Sequence, residues 1–524
     1  GRTARTAIED IVARKLADDA AVYTETQFFL VAPTLTRDDI HHIGCDLLAN
    51  EQIERIRVQS AAEWAAAEPD LSVPVIVAEQ KADVRTYDLQ VSDAELMRIS
   101  SEGILSLSLA EMHAIRGYFA DPARLAERQA FGLGPEPTDA ELELLAQTWS
   151  EHCKHKIFNA VIDYTEDSGQ GRPAHMVIDS LFKTYIRGAT EALRERCPWL
   201  LSVFHDNAGV IAFSDRWSLA YKVETHNSPS ALDPYGGAMT GIVGVNRDPF
   251  GTGRGSQLQI NVWGYCLGSP FYDGKLPEGL MHPRRIRDGV HKGVIDGGNQ
   301  SGIPYARGWE IFDPRYIGKP LVYCGTVGLL PRRVCGEPSE VKKASPGDLI
   351  VMAGGRIGKD GIHGATFSSE ELRTESPAQA VQIGDPITQK KMTDFLLEAR
   401  DLGLFPCITD NGAGGLSSSV GEMATSAGGA ELDLAKAPLK YQGLGPWEIL
   451  VSEAQERMTL AVPPDKIDAF LALARRREVE ATVLGAFNDS GKFHVRYGDR
   501  TVAYVDLAFM HEAVSYTHLT LPTN

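Results

Sequence analysis

No stretch of this sequence approaches the roughly 20 consecutive apolar residues that a membrane helix requires, and the opening GRTARTAIED lacks the apolar run of a signal peptide. The expected location is therefore the cytoplasm. The seven cysteines (Cys45, Cys153, Cys197, Cys266, Cys324, Cys335 and Cys407) are odd in number, scattered, and never spaced as Cys-x-x-Cys. That pattern favours reduced thiols over disulfides or a zinc site. Positive charge is also scarce, with 52 Lys and Arg against 70 Asp and Glu, a net charge of −18. Such a balance repels polyanions at long range, so nucleic acid is not an expected partner.

What is present is a multidomain globular chain. An apolar fraction of 43% over 524 residues is ordinary, and at roughly 100–200 residues per domain the length suggests three or four domains. Residues 21–31 (AVYTETQFFLV) read as a strand. A helix opens at Thr36 with Asp39 three residues on, a capping-box spacing, and IERIRVQ at 53–59 reads as a second strand. Residues 92–129 are helical in pattern and end at the breaker cluster GLGPEP, 132–137. Thr138 and Glu141 repeat the capping-box signal and predict a helix that delivers SEHCKHK at 150–156. From 205 to 330, short apolar runs alternate with glycine-rich turns, with a helix near 284–294. Beyond a boundary at 331–346, DLIVMAGG, ATVLGAF and KFHVRYG read as strands, and KKMTDFLLEARDLG and KIDAFLALARRREV as helices. The fold class is α/β with substantial sheet.

Residues 222–255, KVETHNSPSALDPYGGAMTGIVGVNRDPFGTGRG, form the densest chemical constellation. Alternation along YKVETH sends Lys222, Glu224 and His226 to one face, a cation, a carboxylate and an imidazole together. The same triplet also suits a solvated strand face with the histidine a bystander. The glycines that follow would let backbone N–H groups approach phosphates, and Asp248 adds a second hard-oxygen ligand suited to magnesium. GTGRG lacks the full spacing of a dinucleotide-binding loop. GGRIGKD at 354–360 is one residue short of a P-loop and has Asp360 where Ser or Thr would be required.

SEHCKHK holds His152, Cys153 and His155. No further Cys/His cluster nearby completes a zinc sphere, and no cysteine-protease signature accompanies Cys153. Two histidines beside Lys154 and Lys156 could instead serve phosphates and proton transfer. CITDNGAGGLSSSVGEMA at 407–424 is a strand, an aspartate at its carboxyl end, and a glycine-rich turn into a helix. Asp410 is placed to hold magnesium or a sugar hydroxyl, and the alternative is a plain helix cap by Asp410 or Asn411.

Taken together, SEHCKHKIFNA, KVETHNSPSALDPYGGAMTG, GVNRDPFGTGRG, GGRIGKDGIHGATFSSEEL, VQIGDP, TDNGAGGLSSSVGEMA and VSEAQERM resemble the PurL type of the phosphoribosylformylglycinamidine synthase family, in family order over residues 140–507. Residues 20–60, with DLLANEQIERIRV, are similar to the small PurS subunit. The resemblance implies a partial PurS-like βα domain at 1–65 and a helical linker domain at 66–137. It further implies a PurM-like ATP-binding domain at 138–335, a PurM C-terminal-like α/β domain at 336–510, and a non-native tail at 511–524. It also implies a ligase that phosphorylates the amide of formylglycinamide ribonucleotide with ATP and displaces the phosphate with ammonia from a glutaminase partner.

By the same resemblance His226 and His152 are catalytic, and Lys222 and His155 contact ATP. Glu224, Asp248 and Asp410 hold Mg2+. Thr225, His226, Asn227, Ser228, Arg247, Gln382, Glu453, Ala454 and Gln455 bind the ribonucleotide. Ser228 stands where the family more often has histidine, and His155 where its short forms carry tyrosine. The family's second pair of similar domains and a glutamine amidotransferase domain are not seen in the sequence. Two other readings stand beside this one. The first is another member of the ATP-binding superfamily shared with aminoimidazole ribonucleotide synthase, against which SEHC joined to ETHN discriminates. The second is a non-catalytic nucleotide-binding module.

Overall fold

The computed structural model describes residues 2–17, 20, 22–23, 25–48, 56–66, 83–165, 175–277, 280–364 and 384–513. The chain divides into two compact units, Gly1–Ala78 and Glu79–Asn524. No helix among the described residues is long and apolar enough to cross a membrane.

The first unit contains helices α1 (Arg2–Val12) and α2 (Arg37–Ile43). Thr36 caps α2 reciprocally with Asp39, as the spacing predicts. The two predicted strands do not appear among the described residues, and residues 21, 24 and 53–55 of those segments lie outside them. The described residues of 21–31 and of 53–59 are in no strand, and Phe29 and Val31 are 81% and 96% exposed. Their β-branched and aromatic composition suits a strand only where a neighbour supplies the ladder, and the described part of this unit offers none.

The second unit opens with helices α3 (Asp93–Glu102), α4 (Leu109–Ala120), α5 (Pro122–Gln129) and α6 (Asp139–Thr148). Ser92, Ser108, Asp121 and Thr138 cap them in turn. A buried ion pair ties α5 to α6. The Arg128 guanidinium bonds both carboxylate oxygens of Glu141, at 2.5 and 3.1 Å, and Glu141 also accepts from Thr138 N and Tyr504 N. Replacing Arg128 by Met leaves that carboxylate buried without its cation. The expected loss is about 3–5 kcal/mol, read as a lower urea midpoint.

A six-stranded sheet follows. Its strands are β1 (Leu200–Ser202), β2 (Gly209–Ala212), β3 (Trp217–Thr225), β4 (Gln257–Leu267), β5 (Tyr305–Phe312) and β6 (Leu321–Pro331), in the order β1-β2-β3-β6-β4-β5. All neighbours are antiparallel except β4 and β5. Helices α7 (Pro234–Phe250) and α8 (Pro283–Ser301) bury one face through Ala238, Ile242, Val245, Ile286, Val290 and Val294. The helices lie close because Gly293 has no side chain; a Cβ there would sit 2.2 Å from Tyr235 O. The opposite sheet face is apolar and open, with Tyr221, Val223, Trp309 and Ile311 all exposed.

The second sheet has seven strands. They are β7 (Leu349–Gly354), β8 (Cys407–Asp410), β9 (Gly429–Asp433), β10 (Arg457–Val462), β11 (Ala481–Asn488), β12 (Lys492–Tyr497) and β13 (Arg500–Asp506), in the order β8-β10-β7-β11-β9-β12-β13. Helices α9 (Pro386–Asp401) and α10 (Gly415–Ala427) come before β10, and α11 (Ile467–Arg476) follows it. Alternation splits the sheet between two cores. Val351, Ala353, Ile408 and Leu460 pack with Met392, Phe395 and Phe470 of α9 and α11. Ile350, Met352, Phe487 and Val495 pack with Val420 and Met423 of α10 and with Leu142, Leu145 and Trp149. The helix Leu507–Glu512 extends past residue 510, with Met510 O accepting from Trp149 Nε1.

Candidate active site

The site grows from β3. Ser218 and Ala220 face α7 and are buried, and the same alternation turns Lys222 and Glu224 to that side at the strand's carboxyl end. Lys222 Nζ lies 3.1 Å from Glu224 Oε1, 3.5 Å from Asp248 Oδ1 and 3.1 Å from Asn207 O. The strand closes at Thr225, so His226 is not on its face as the alternation predicts. His226 turns the chain instead, at φ −126°, ψ 58°, while its N–H still bonds Val322 O. Gly241 of α7 leaves room for it: a Cβ there would be 3.0 Å from His226 Cβ.

Helix α7 starts at Asp233, whose carboxylate caps Gly236 N, and ends with Arg247 and Asp248 in its last turn. Arg247 reaches across to the second sheet. Its guanidinium donates to Asn411 O at 3.0 Å and Gln455 Oε1 at 2.9 Å, and stands 3.8 Å from Asp410 Oδ2. Asp410 ends β8, as its motif predicts, and accepts from Asn207 Nδ2 at 3.1 Å. Neither Asp410 nor Asn411 caps α10. Its N-cap is Gly414, at φ +73°, with no side-chain bond. Glu453 Oε1 accepts from Gly414 N, and Ala454 and Gln455 are buried beside it.

Ser150 caps a short helical turn, Glu151–Lys154, that presents His152, and His155 follows in the left-handed region at φ +49°. His152 stands within electrostatic reach of Glu224 and Lys222. The protein around Cys153 pushes its thiol up to about 11, the reverse of an activated thiolate. Thr225 is exposed at the strand end, whereas Ser228 is buried and Asn227 Oδ1 accepts from Val322 N. Gln382 lies outside the described residues.

The electrostatics follow from three carboxylates sharing few cations. Burial and the nearby Glu224 carboxylate push Asp248 well above the ordinary carboxylate range. Desolvation by the protein around Glu224 would raise it as well, although its side chain is 43% exposed, but Lys222 outweighs this and holds that carboxyl low. Desolvation by the surrounding protein also lowers the imidazoles of half-buried His226 and of His152, whose side chain still reaches solvent, which favours their neutral forms. Glu224, Asp248 and Asp410 are hard-oxygen donors, and the mutual repulsion that raises Asp248 is what a divalent cation would relieve. Among the described residues no three such side chains close on one ion by themselves. The set therefore fits Mg2+ completed by phosphate oxygens and water, its usual habit.

Asn207 went unnoticed in the sequence, although its carbonyl and amide touch both Lys222 and Asp410. The signal available was the Asp206-Asn207 pair before a glycine and a strand. Glu456 is a second such residue. It is buried, at φ +58°, and its Oε1 accepts from Asp385 N at 2.8 Å, which joins the SEAQ segment to the start of α9. Burial raises its carboxyl from 4.5 to about 8. A folded-state value above the unfolded one gives stability that is complete below about pH 4.5 and lost as pH rises through about 8. Glu456→Gln keeps the accepting oxygen without the ionisation. The variant is expected to match the parent near pH 5 and to exceed it by roughly 1–3 kcal/mol above pH 8, measured by urea titration.

Three families match the chain. Residues 96–156 match the formylglycinamide ribonucleotide amidotransferase linker domain, and residues 205–330 and 345–498 match the N-terminal and C-terminal domains of AIR synthase related protein. The phosphoribosylformylglycinamidine synthase subunit PurL of Thermoplasma acidophilum is 36% identical over 428 residues, 81% of this chain and 50% of that protein. The same subunit from Methanopyrus kandleri is 35% identical over 72% of this chain and 47% of that protein. The chain thus spans about half the length of the curated relatives it matches. Among solved structures, T. maritima PurL complexed with FGAR superposes with a TM-score of 0.57 at 30% identity, over 77% of this chain and 59% of that one. T. maritima PurL complexed with ATP gives 0.55 at 27%, over 77% and 57%. With the linker, both AIR synthase-related domains and the motifs of the site in one chain, this protein belongs to the PurL-type phosphoribosylformylglycinamidine synthase family.

Proposed function

We propose that this chain carries a nucleotide and ribonucleotide site of an ATP-dependent phosphoribosylformylglycinamidine synthase in purine biosynthesis, working in the cytoplasm. The observation that carries the reading is the meeting of Lys222, Glu224 and Asp248 from one domain with Asp410 and Gln455 from the other, bridged by Arg247. The solved relative of Thermotoga maritima is described in complexes with FGAR, ATP and ADP, which supports both ligands for this site.

In the proposed reaction the amide oxygen of formylglycinamide ribonucleotide attacks the γ-phosphorus of ATP, and ADP leaves. Ammonia then adds to the activated carbon and expels phosphate, giving the amidine. Lys222 and His155 meet the nucleotide phosphates, and Thr225, Asn227, Ser228, Arg247, Gln382, Glu453, Ala454 and Gln455 line the ribonucleotide. Mg2+ on Glu224, Asp248 and Asp410 would offset phosphate charge. Neutral His226 takes a proton as ammonia attacks, and His152, beside Glu224, is the second proton carrier. Ammonia comes from a glutaminase partner. The relatives' description as a subunit, and a T. maritima structure described as PurLQS, support a separate chain for it.

The test is release of ADP and phosphate by the protein with ATP, Mg2+, ammonium salt and formylglycinamide ribonucleotide, together with chromatographic detection of the amidine. ATP turnover that does not depend on the ribonucleotide would sink the assignment. A second reading, a nucleotide-binding fragment without turnover, is favoured by the half-length match to the relatives. Binding of ATP without product would support it.

A further inference from the structure

Lys342 lies between the two matched domain segments, in a connector that the assigned site does not include. Its ammonium donates its three N–H groups to three acceptors. It meets Asp206 Oδ1 at 2.5 Å, Gly251 O at 3.0 Å and Ile408 O at 3.1 Å, with both side chains largely buried. Each acceptor belongs to a segment that carries site residues. Gly251 follows Asp248 by three residues at the end of α7, and Ile408 precedes Asp410 by two on β8.

Asp206 extends the arrangement. Its Oδ2 accepts from Gly253 N at 2.7 Å and its Oδ1 from Asn207 N at 2.8 Å. Asn207 in turn contacts Lys222 through its carbonyl and Asp410 through its amide. The connector also backs the GTGRG loop, where Arg254 N donates to Ser339 O and a Cβ at Gly253 would sit 2.2 Å from that oxygen. Both Asp206 oxygens are engaged by protein donors, which makes this carboxylate a brace rather than an open ligand.

We propose that Lys342, through Asp206, is the positioning residue that sets the spacing between Asp248 and Asp410 and so the fit of the divalent cation and the nucleotide phosphates. The proposal rests on the phosphoryl-transfer reading of the site. Charge-assisted bonds to three segments at one point fix relative placement more firmly than a neutral contact would. Groups that orient ligands from behind are usually worth about 10–100-fold in metal affinity.

The experiment uses the full 524-residue chain and its Lys342→Met, Lys342→Arg and Asp206→Asn variants. In metal-free protein, amide hydrogen exchange at Gly253 and Asn207 is expected to quicken by at least about 10-fold in Lys342→Met, while β10 amides are unchanged. In ATP binding, the Mg2+ concentration for half saturation is expected to rise by about 10–100-fold, with Mg2+-free ATP binding within about 2-fold of the parent. Lys342→Arg keeps the charge and recovers most of both readouts, and Asp206→Asn repeats the loss. Equal loss of metal-free and metal-dependent binding would reduce Lys342 to a general staple and overturn the proposal, as would no change in either. If Lys342→Met does not fold, Lys342→Gln replaces it with the same expected split. A parent that binds no Mg2+-dependent nucleotide overturns the phosphoryl-transfer reading itself. A parent that binds it, with unaltered variants, overturns only the role of Lys342.

Discussion

On the proposed activity, replacing His226 by alanine is expected to lower turnover by about 10²–10⁴-fold, the usual contribution of a positioned proton acceptor. ATP affinity is expected to move by less than about 10-fold, because the lost group acts in the transition state rather than in binding nucleotide. The expectation follows from where β3 ends. Its final turn sets the imidazole against α7, and burial outweighs the nearby Glu224 carboxylate, so the ring is neutral and able to accept a proton. His226→Asn, which retains a polar group of similar reach, is expected to be nearly as slow as the alanine variant. Steady-state assays beside calorimetric ATP titration decide the matter. A turnover within a few-fold of the parent, or ATP binding lost in step with turnover, would remove His226 from the chemistry.

Much of this site was legible because short-range rules set it. Alternation predicted that Lys222 and Glu224 share a face, and the strand–turn–helix at 407–427 predicted that Asp410 ends a strand. Capping boxes at Thr36 and Thr138 were read from the spacing of one hydroxyl and one carboxylate. The described parts of the segments predicted as strands at 21–31 and 53–59 are in no strand for a matching reason, since strand propensity counts only when a partner ladder exists. The distant contacts had no local signature at all. Arg247 touching Gln455, 208 positions away, and Lys342 meeting both Asp206 and Ile408 are set by how two sheets face each other. No periodicity in any one segment records that. The left-handed turn at Glu456 was equally hidden, because the residue type argues against it and only burial around the SEAQ segment explains it.

Lys222→Met is expected to weaken Mg2+-dependent ATP binding by roughly 10²-fold, the upper end of the ~1.5–3 kcal/mol of one hydrogen bond to a charged group, since Lys222 and Glu224 keep 29% and 43% of their side chains exposed. The ammonium is the cation within bonding reach of both Glu224 and Asp248, at 3.1 and 3.5 Å. Without it, those carboxylates and Asp410 face each other with Arg247 as the remaining nearby cation, and Arg247 is already engaged by Asn411 and Gln455. Methionine fills the volume of the lysine stem, so β3 should keep its packing and the thermal midpoint should change little. The loss then falls on phosphate recognition, where Lys222 would act as a point charge against a polyanion. Lys222→Arg provides the control. It restores the charge but brings a planar fork to a site built around a compact ammonium, so partial recovery of about 10-fold is expected. ATP titrations at fixed Mg2+ separate the outcomes. Binding unchanged in Lys222→Met would place the phosphates elsewhere and break the link between β3 and the nucleotide, whereas a selective loss with an intact fold ties phosphate binding to the end of that strand.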